Sequence, residues 1–234
     1  MMCTRYEYAA SWCEDKRVLE VACGTGQGLG YLASHARQIV AGDYTHELLQ
    51  AARKHYGNRV PVVRLDAHSL PFRDHIFDVV ILYEAIYYLS EPAAFLADCR
   101  RVLQEGGLLL ICSANREGLD FNPSPLSTTY LSAAELRILL QGQGFNAKLF
   151  GAFEVTTVSA RDKLVSLLKR TAVRLHLIPK TMKGKECLKR LFLGKLVPAP
   201  VEVKEGHAET CPFVPLDGDR PVSKYKVLYA IGRV

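Results

Sequence analysis

The sequence predicts an α/β fold in which a parallel sheet is flanked by helices. Apolar runs of strand length alternate with helical patterns up to about residue 155, an alternation typical of parallel sheets. The first of these runs, at residues 18–21, ends in a turn that contains Gly24 and Gly26. A strand, a glycine turn and the start of a helix together form the ligand cradle of many nucleotide-binding sheets.

Local signals place several of the other elements. Residues 29–33 can form a helix directly after the glycine turn, and Ser90 ahead of Pro92 indicates another helix start. Ser132 and Glu135 have the spacing of a capping box before an apolar run. Gly142 and Gly144 suit the end of that helix. Strands are predicted at residues 148–155 and 225–234.

The glycine spacing excludes two common nucleotide sites. A dinucleotide fingerprint needs a third glycine three residues after the second, and counting from Gly26 that position is Leu29. Gly28 and Gly30 lie on either side of it. A P-loop is excluded too, because no Lys-Ser or Lys-Thr pair follows at the required distance.

The pattern that remains runs from Glu20 through Ala22 and Cys23 to Gly24, Thr25 and Gly26. It resembles the first motif of class I S-adenosylmethionine (SAM)-dependent methyltransferases, with Ala22 where the family often has glycine. Four more segments resemble later motifs of the family in the same order. They are residues 39–45, ending the second strand near Asp43; residues 65–72 around Asp66; residues 77–85, the fourth strand; and residues 101–110, a helix end, a Gly-Gly turn and the fifth strand.

The resemblance implies a Rossmann-like sheet of seven mostly parallel strands, with the last strand antiparallel beside the sixth. The whole chain, residues 1–234, is then one methyltransferase domain. Residues 156–222 are expected to form an insertion before the last strand: two basic helices followed by a proline-rich stretch too broken for regular structure. Only about sixteen residues precede the first strand, so the helical cover that relatives place over SAM is expected to be short here, and the insertion is a candidate replacement.

The resemblance also assigns cofactor-binding roles. Glu20 is expected near the methionine amino group and Asp43 on the ribose hydroxyls, because a carboxylate can accept from two neighbouring hydroxyls. Asp66, Ala67 and His68 are expected near adenine. The remaining predicted cofactor contacts are Ala22, Cys23, Gly24, Thr25, Gly26, Gln27, Tyr44, Tyr83 and Glu84. Three alternatives stay open: Asp43 as a helix N-cap, Asp66 as a plain turn residue, and Glu84 as a solvated acid at a helix start.

The catalytic base is the least defined part of the site. Tyr87 and Tyr88 stand where many relatives carry histidines facing the acceptor. Tyr88 and His68 are the two candidates, although an ordinary phenol is a weak base and His68 is also assigned to the adenine end. Aromatic side chains that are candidates for the wall of an acceptor pocket, or equally for simple core packing, are Tyr6, Tyr83, Phe121 and Tyr130.

The expected activity is methyl transfer from SAM to an oxygen or nitrogen of a small molecule, with S-adenosylhomocysteine as the product. The alternative is a SAM- or nucleotide-binding module without catalysis. No metal is expected, because His35, His46, His55 and His68 lack metal-ligand spacing with any cysteine pair. Cys23 is expected to be a packing residue of the turn, not a nucleophile.

Composition and charge distribution bound the partners and the location. The seven cysteines and the absence of an apolar N-terminal stretch indicate reduced thiols in a cytoplasmic protein. The net charge is +6, but residues 161–195 hold eleven Lys and Arg against two acids, a local charge of +9. This segment suggests a lid over an anionic or sugar-containing acceptor, or weak contact with an anionic membrane. Nucleic acid is not favoured, because the segment almost lacks aromatic residues. A solvated lid helix is the simpler alternative.

The sequence predicts that the chain binds SAM and S-adenosylhomocysteine but not NAD, because Leu29 breaks the dinucleotide fingerprint while the methyltransferase motifs are intact. Titration calorimetry with the three ligands measures this directly. Tight binding of NAD together with no binding of SAM would contradict the prediction.

Overall fold

A computed structural model describes residues 1–119, 121–155, 200–206, 211–217 and 222–234. These residues contain one eight-stranded sheet. Its strands are β1 (Arg17–Val21), β2 (Gln38–Asp43), β3 (Val62–Arg64), β4 (Phe77–Tyr83), β5 (Leu103–Ala114), β6 (Asn146–Glu154), β7 (Val214–Pro215) and β8 (Tyr225–Arg233). The described helices are α1 (Met2–Ala10), α2 (Leu29–Ala33), α3 (His46–Tyr56), α4 (Pro92–Val102) and α5 (Ala133–Gly142), with a short 3-10 helix at Ile86–Tyr88.

The strand order across the sheet is β3-β2-β1-β4-β5-β8-β6-β7. The strands from β3 to β5 pair in parallel, and β8 pairs antiparallel with both β5 and β6. This confirms the predicted parallel sheet and its antiparallel last strand. Because β1 and β4 are neighbours while β2 and β3 lie to one side, the chain reverses direction across the sheet next to β1, where ligands bind in open α/β sheets.

The eighth strand, β7, goes beyond the seven that were predicted. It contains two residues and pairs antiparallel with β6 at the edge of the sheet. A proline, Pro215, is tolerated there because an edge strand has a side on which no ladder hydrogen bond is needed. The proline-rich stretch therefore contains one short piece of regular structure.

Helices cover the sheet on both faces and create two apolar layers. On one face, α1, α2 and α3 contribute side chains that are fully or nearly fully buried, among them Ala9, Leu29 and Leu49. On the other face, Phe95 of α4 and Leu136 of α5 have no exposed surface. Side chains along β1 alternate between these layers, as the twofold period of a strand requires. The alternation decides which strand residues meet α1.

The helix signals are confirmed at α5 and displaced by one residue at α4. Ser132 caps α5, and its hydroxyl accepts from the Glu135 amide while the Glu135 carboxylate accepts from the Ser132 amide. Gly144 follows that helix with a φ of +79°. At α4 the N-cap residue is Glu91 and makes no side-chain capping bond. The proline at the first helical position sets this start by its fixed φ, so no Ser90 cap is needed.

The segment before β1 forms a helix that lies beside the glycine turn. Residues Met2–Ala10 form α1, which packs beside α2 and reaches the glycine turn through Tyr6. The two basic helices predicted within residues 156–222 fall on residues 156–199, which lie outside the described residues. In the described part of the chain, no helix is both long enough and apolar enough to cross a membrane.

Candidate functional site

The turn after β1 leaves its backbone open to a ligand. Gly24 has a φ of +59°, and a Cβ placed on it would meet no atom within 4 Å. None of the described residues therefore fills the space next to this peptide. Ala22 also has a positive φ, +57°, which explains why relatives often have glycine at this position. An alanine in this conformation costs about 1 kcal/mol of backbone strain relative to glycine, and this chain carries that strain at Ala22.

Glu20 is a buried carboxylate with one free oxygen. Its residue is 1% exposed, and its Oε1 accepts a hydrogen bond from the Tyr6 hydroxyl at 2.8 Å. Its Oε2 has no hydrogen-bond partner among the described residues. Burial raises the pKa of Glu20 to about 7, although the Tyr6 bond and the nearby Arg5 charge act to lower it. The free oxygen is thus an acceptor that is poised to receive a donor, and most strongly a cationic one.

Asp43 stands at the end of β2, beside the glycine turn. Its Oδ2 accepts from the Gly24 amide at 2.9 Å, and its Oδ1 accepts from the Thr45 amide at 2.8 Å. Each carboxylate oxygen keeps a further lone pair, which matches two adjacent hydroxyl donors. The N-cap residue of α3 is Thr45, so the structure does not place Asp43 at the cap position that the alternative proposed.

Asp66 and His68 form a compact pair after β3. The Asp66 Oδ1 lies 2.9 Å from the His68 amide nitrogen and 2.7 Å from His68 Nδ1. The hydrogen bond from the His68 amide is the main reason that the pKa of Asp66 is lowered. The Asp66 carbonyl also accepts from the Ser69 amide at 3.1 Å, so Asp66 shapes a turn as well as presenting a carboxylate. Ala67 lies within this turn.

Glu84 lies directly after β4 and is held by three elements. Its carboxylate lies 3.3 Å from the Arg5 guanidinium of α1, and it accepts from the Tyr87 hydroxyl at 2.8 Å. The Cys112 thiol of β5 lies 3.7 Å from it. Its φ is +53°, a rare conformation for a glutamate, and one that clusters at functional sites. Glu84 is therefore a fixed carboxylate, unlike the solvated acid of the alternative.

A row of three polar side chains crosses the sheet beneath α1. Tyr83, Cys112 and Tyr229 are direct neighbours on β4, β5 and β8, and all three are buried. Neither tyrosine hydroxyl has a hydrogen-bond partner in the described chain. Burial raises the pKa of both phenols. Sequence reasoning missed Cys112 and Tyr229, which only the strand register brings together, and Arg5, which the packing of α1 brings to Glu84.

The predicted aromatic wall divides into two groups. Tyr6 and Tyr83 pack together beside the glycine turn, with ring centroids 5.8 Å apart. The second group is centred on Tyr130, which stacks on Tyr87 at 4.4 Å and meets Phe121 at 4.7 Å. Tyr88 touches the Tyr87 ring and is 48% exposed. The second group adjoins Glu84 through the Tyr87 hydroxyl, so it is the group that borders the carboxyl end of β4.

The other predicted contacts take varied positions. Tyr44 is 66% exposed beside Asp43, and the Arg64 guanidinium lies over its ring at 5.5 Å. Cys23 is 4% exposed, and burial raises the pKa of its thiol, which agrees with a packing role. Thr25 and Gln27 complete the turn, where the Gln27 carbonyl accepts from the Val203 amide at 2.7 Å. The described residues contain no group of three or more side chains able to hold a metal.

Comparisons with solved structures define the class of fold. YcgJ of Bacillus subtilis aligns over 98% of this chain and 97% of its own, with a TM-score of 0.64 and 14% identity. A SAM-dependent methyltransferase from Aquifex aeolicus aligns over 62% of this chain and 80% of its own, with a TM-score of 0.54 and 24% identity. The [4+2]-cyclase SpnF aligns with a TM-score of 0.62 and 19% identity over 97% of this chain and 79% of its own. The fold is the Rossmann-like fold of the class I methyltransferases.

Comparisons of sequence identify the family. Residues 19–111 match the family model described as "Methyltransferase domain". A Mycobacterium tuberculosis protein named "Probable S-adenosylmethionine-dependent methyltransferase Rv3030" is 37% identical over 144 residues, which are 60% of this chain and 52% of the relative. Residues 19–111 are therefore a methyltransferase domain of the SAM-dependent kind, and SAM is the cofactor given in the names of these relatives. The chain spans about half the length of these curated relatives.

The residues present fit such a cofactor. The free, buried Oε2 of Glu20 is an acceptor suited to an ammonium group. The open space beside Gly24 admits a ligand to the turn, and Asp43 is oriented by two backbone amides.

We expect Asp43→Ala to weaken SAM binding by about 1.5–3 kcal/mol, the usual range for hydrogen bonds to a charged group. Titration calorimetry on the folded protein gives the affinity. Asp78→Ala is a matched control, because Asp78 also accepts from a backbone amide, that of Arg17 at 2.8 Å, but lies at the opposite end of the sheet. Equal affinities for the Asp43 variant and the native protein would contradict the assignment.

Proposed function

We propose that this protein is an enzyme that transfers a methyl group from SAM to an oxygen or nitrogen of a small molecule. The observation that carries the proposal is the placement of Glu20, Gly24 and Asp43 around one open turn at the carboxyl ends of β1 and β2. The family assignment supports the same activity. SpnF is named a [4+2]-cyclase and shares this fold. The fold alone therefore does not establish methyl transfer.

Glu20, Asp43 and Asp66 would hold the cofactor through three separate carboxylates. The free oxygen of Glu20 would accept from its amino group, Asp43 from its ribose hydroxyls, and Asp66 from its adenine amino group. Bound SAM supplies a methyl group on a positively charged sulfur. The protein therefore has to position the acceptor, exclude water and remove one proton.

Glu84 is the group that we propose as the proton acceptor. The Arg5 guanidinium and the Tyr87 hydroxyl fix its carboxylate at the carboxyl end of β4, and its side chain keeps 25% of its surface exposed. His68 is less suited, because both ring nitrogens are engaged: Asp66 lies against Nδ1, and the Glu91 amide donates to Nε2 at 3.4 Å. Tyr88 has an exposed ring, and a neutral phenol group is in general a poor proton acceptor. In this proposal Glu84 receives the proton that leaves the acceptor atom as the methyl group is transferred.

The acceptor would lie against the aromatic group formed by Phe121, Tyr130, Tyr87 and Tyr88. One relative, from Mycobacterium ulcerans, is named "Phthiotriol/phenolphthiotriol dimycocerosates methyltransferase 1" and is 43% identical over 101 residues, which are 41% of this chain and 36% of the relative. An aromatic wall would favour an acceptor with an apolar or planar part. An anionic or sugar-containing acceptor and a membrane contact depend on residues 161–195, outside the described residues, and stay predictions.

The activity is tested with SAM labelled in its methyl group and a protein-free extract of small molecules from cells. We expect label in an organic product. EDTA should not lower the rate, because the sulfonium is already a charged electrophile. Glu84→Gln should lower the rate strongly and leave the affinity for S-adenosylhomocysteine unchanged. Tyr88→Phe is the control for the alternative base. Binding of SAM without any labelled product across chemically varied extracts would favour the non-catalytic module.

A further inference from the structure

Residues 200–206, the return segment, contact the glycine turn at its C-terminal end. The Val203 amide donates to the Gln27 carbonyl at 2.7 Å, and the Val203 side chain is 2% exposed within the apolar layer that contains Tyr6 and Leu29. Gln27 belongs to the turn that the proposed function assigns to the cofactor. The return segment thus contacts the cofactor turn through the Gln27 carbonyl and leaves the space at Gly24 open.

Glu202 ties the return segment to α3. Its Oε2 lies 2.7 Å from His55 Nε2 and 3.4 Å from an Arg59 nitrogen. The His55 bond is the main reason that the pKa of Glu202 is lowered. The side chain of Glu202 is 21% exposed, so the pair is partly shielded from water and from salt.

Tyr56, which lies between His55 and Arg59 in the chain, links the Glu202 contacts to the glycine turn. Its residue is 2% exposed. Its hydroxyl donates to the Gly26 carbonyl at 2.6 Å and accepts from the Gly30 amide at 3.2 Å. The Arg59 guanidinium lies over the Tyr56 ring at 4.9 Å. One residue of α3 therefore fixes the turn, and His55 and Arg59, which are close to it in the chain, hold the return segment.

Gly30 makes room for the Glu202 carboxylate. A Cβ built on Gly30 would lie 1.6 Å from Glu202 Oε1, and its three nearest atoms all belong to Glu202. Gly30 lies inside α2, where alanine is intrinsically a better helix former than glycine. An alanine at this position would displace the carboxylate without weakening the helix.

We propose that Glu202 is a positioning residue for the cofactor turn, and that the return segment sets the affinity of the protein for SAM. This inference rests on the proposed function in one respect, namely that the turn from Gly24 to Gln27 binds the cofactor. With Glu202 bound to His55 and Arg59, the Val203–Gln27 bond holds the turn in its open, ligand-ready conformation. When Glu202 is released, the turn loses the support of the return segment and keeps that of Tyr56 and Asp43.

The test uses the full chain and S-adenosylhomocysteine as the probe, with titration calorimetry for affinity and thermal unfolding for stability. We expect Glu202→Ala and Gly30→Ala each to weaken binding about fivefold, the scale of one hydrogen bond in a partly shielded site. The double variant should lose no more than either single one, because both remove the same contact. Glu202→Gln, which keeps an acceptor oxygen and a donor, should restore most of the affinity.

Glu154→Ala is the matched control, since Glu154 pairs with Lys224 at 3.1 Å on a more exposed surface. It should leave affinity unchanged. Native binding in both Glu202→Ala and Gly30→Ala would overturn the inference while leaving the proposed function intact. Absence of binding by the native chain would instead overturn the proposed function. Weaker binding in Glu202→Ala with no rescue by Glu202→Gln would also contradict a role through the His55 and Arg59 contacts.

Discussion

The burial of the Glu20 carboxylate is the constraint on which the rest of the site depends. An ionised carboxylate loses hydration on burial and requires hydrogen bonds or an opposite charge in return. Tyr6 satisfies one oxygen, which explains why α1 must pack across the turn although the segment before β1 is short. The other oxygen is unsatisfied by the described protein. Glu20 Oε2 therefore has no hydrogen-bond donor or opposite charge among the described residues, and a cationic ligand group would supply one.

This deficit has a consequence for stability. Because the pKa of Glu20 is raised above its ordinary value to about 7, the folded chain holds a proton there that the unfolded chain releases. The contribution of Glu20 to stability is therefore most favourable at acidic pH and declines as the pH rises toward 7. A bound ammonium would reverse that decline by favouring the ionised form. Binding and ionisation of Glu20 are linked by the same oxygen.

Much of the fold and part of the site could be predicted from the sequence. Apolar runs that alternate with helical patterns located the strands. The acids that end strands, Asp43 among them, indicated the ligand edge, because the carboxyl ends of parallel strands meet there. The contacts that hold these acids could not be predicted. Arg5 and Glu84 are far apart in the chain, and 147 positions separate Glu202 from His55. Such pairs follow from the packing of α1 and of the return segment, which leaves no periodic signal in the sequence.

The most direct test of the account is the pKa of Glu20 itself, followed by carbon NMR of the labelled side-chain carboxyl, with Glu20→Gln to assign the resonance. The account predicts a pKa near 7 in the free protein and a clear fall when S-adenosylhomocysteine saturates the site, because its ammonium would bind Oε2. A pKa that stays the same on saturation would show that the free oxygen does not receive the cofactor, and would contradict the central claim.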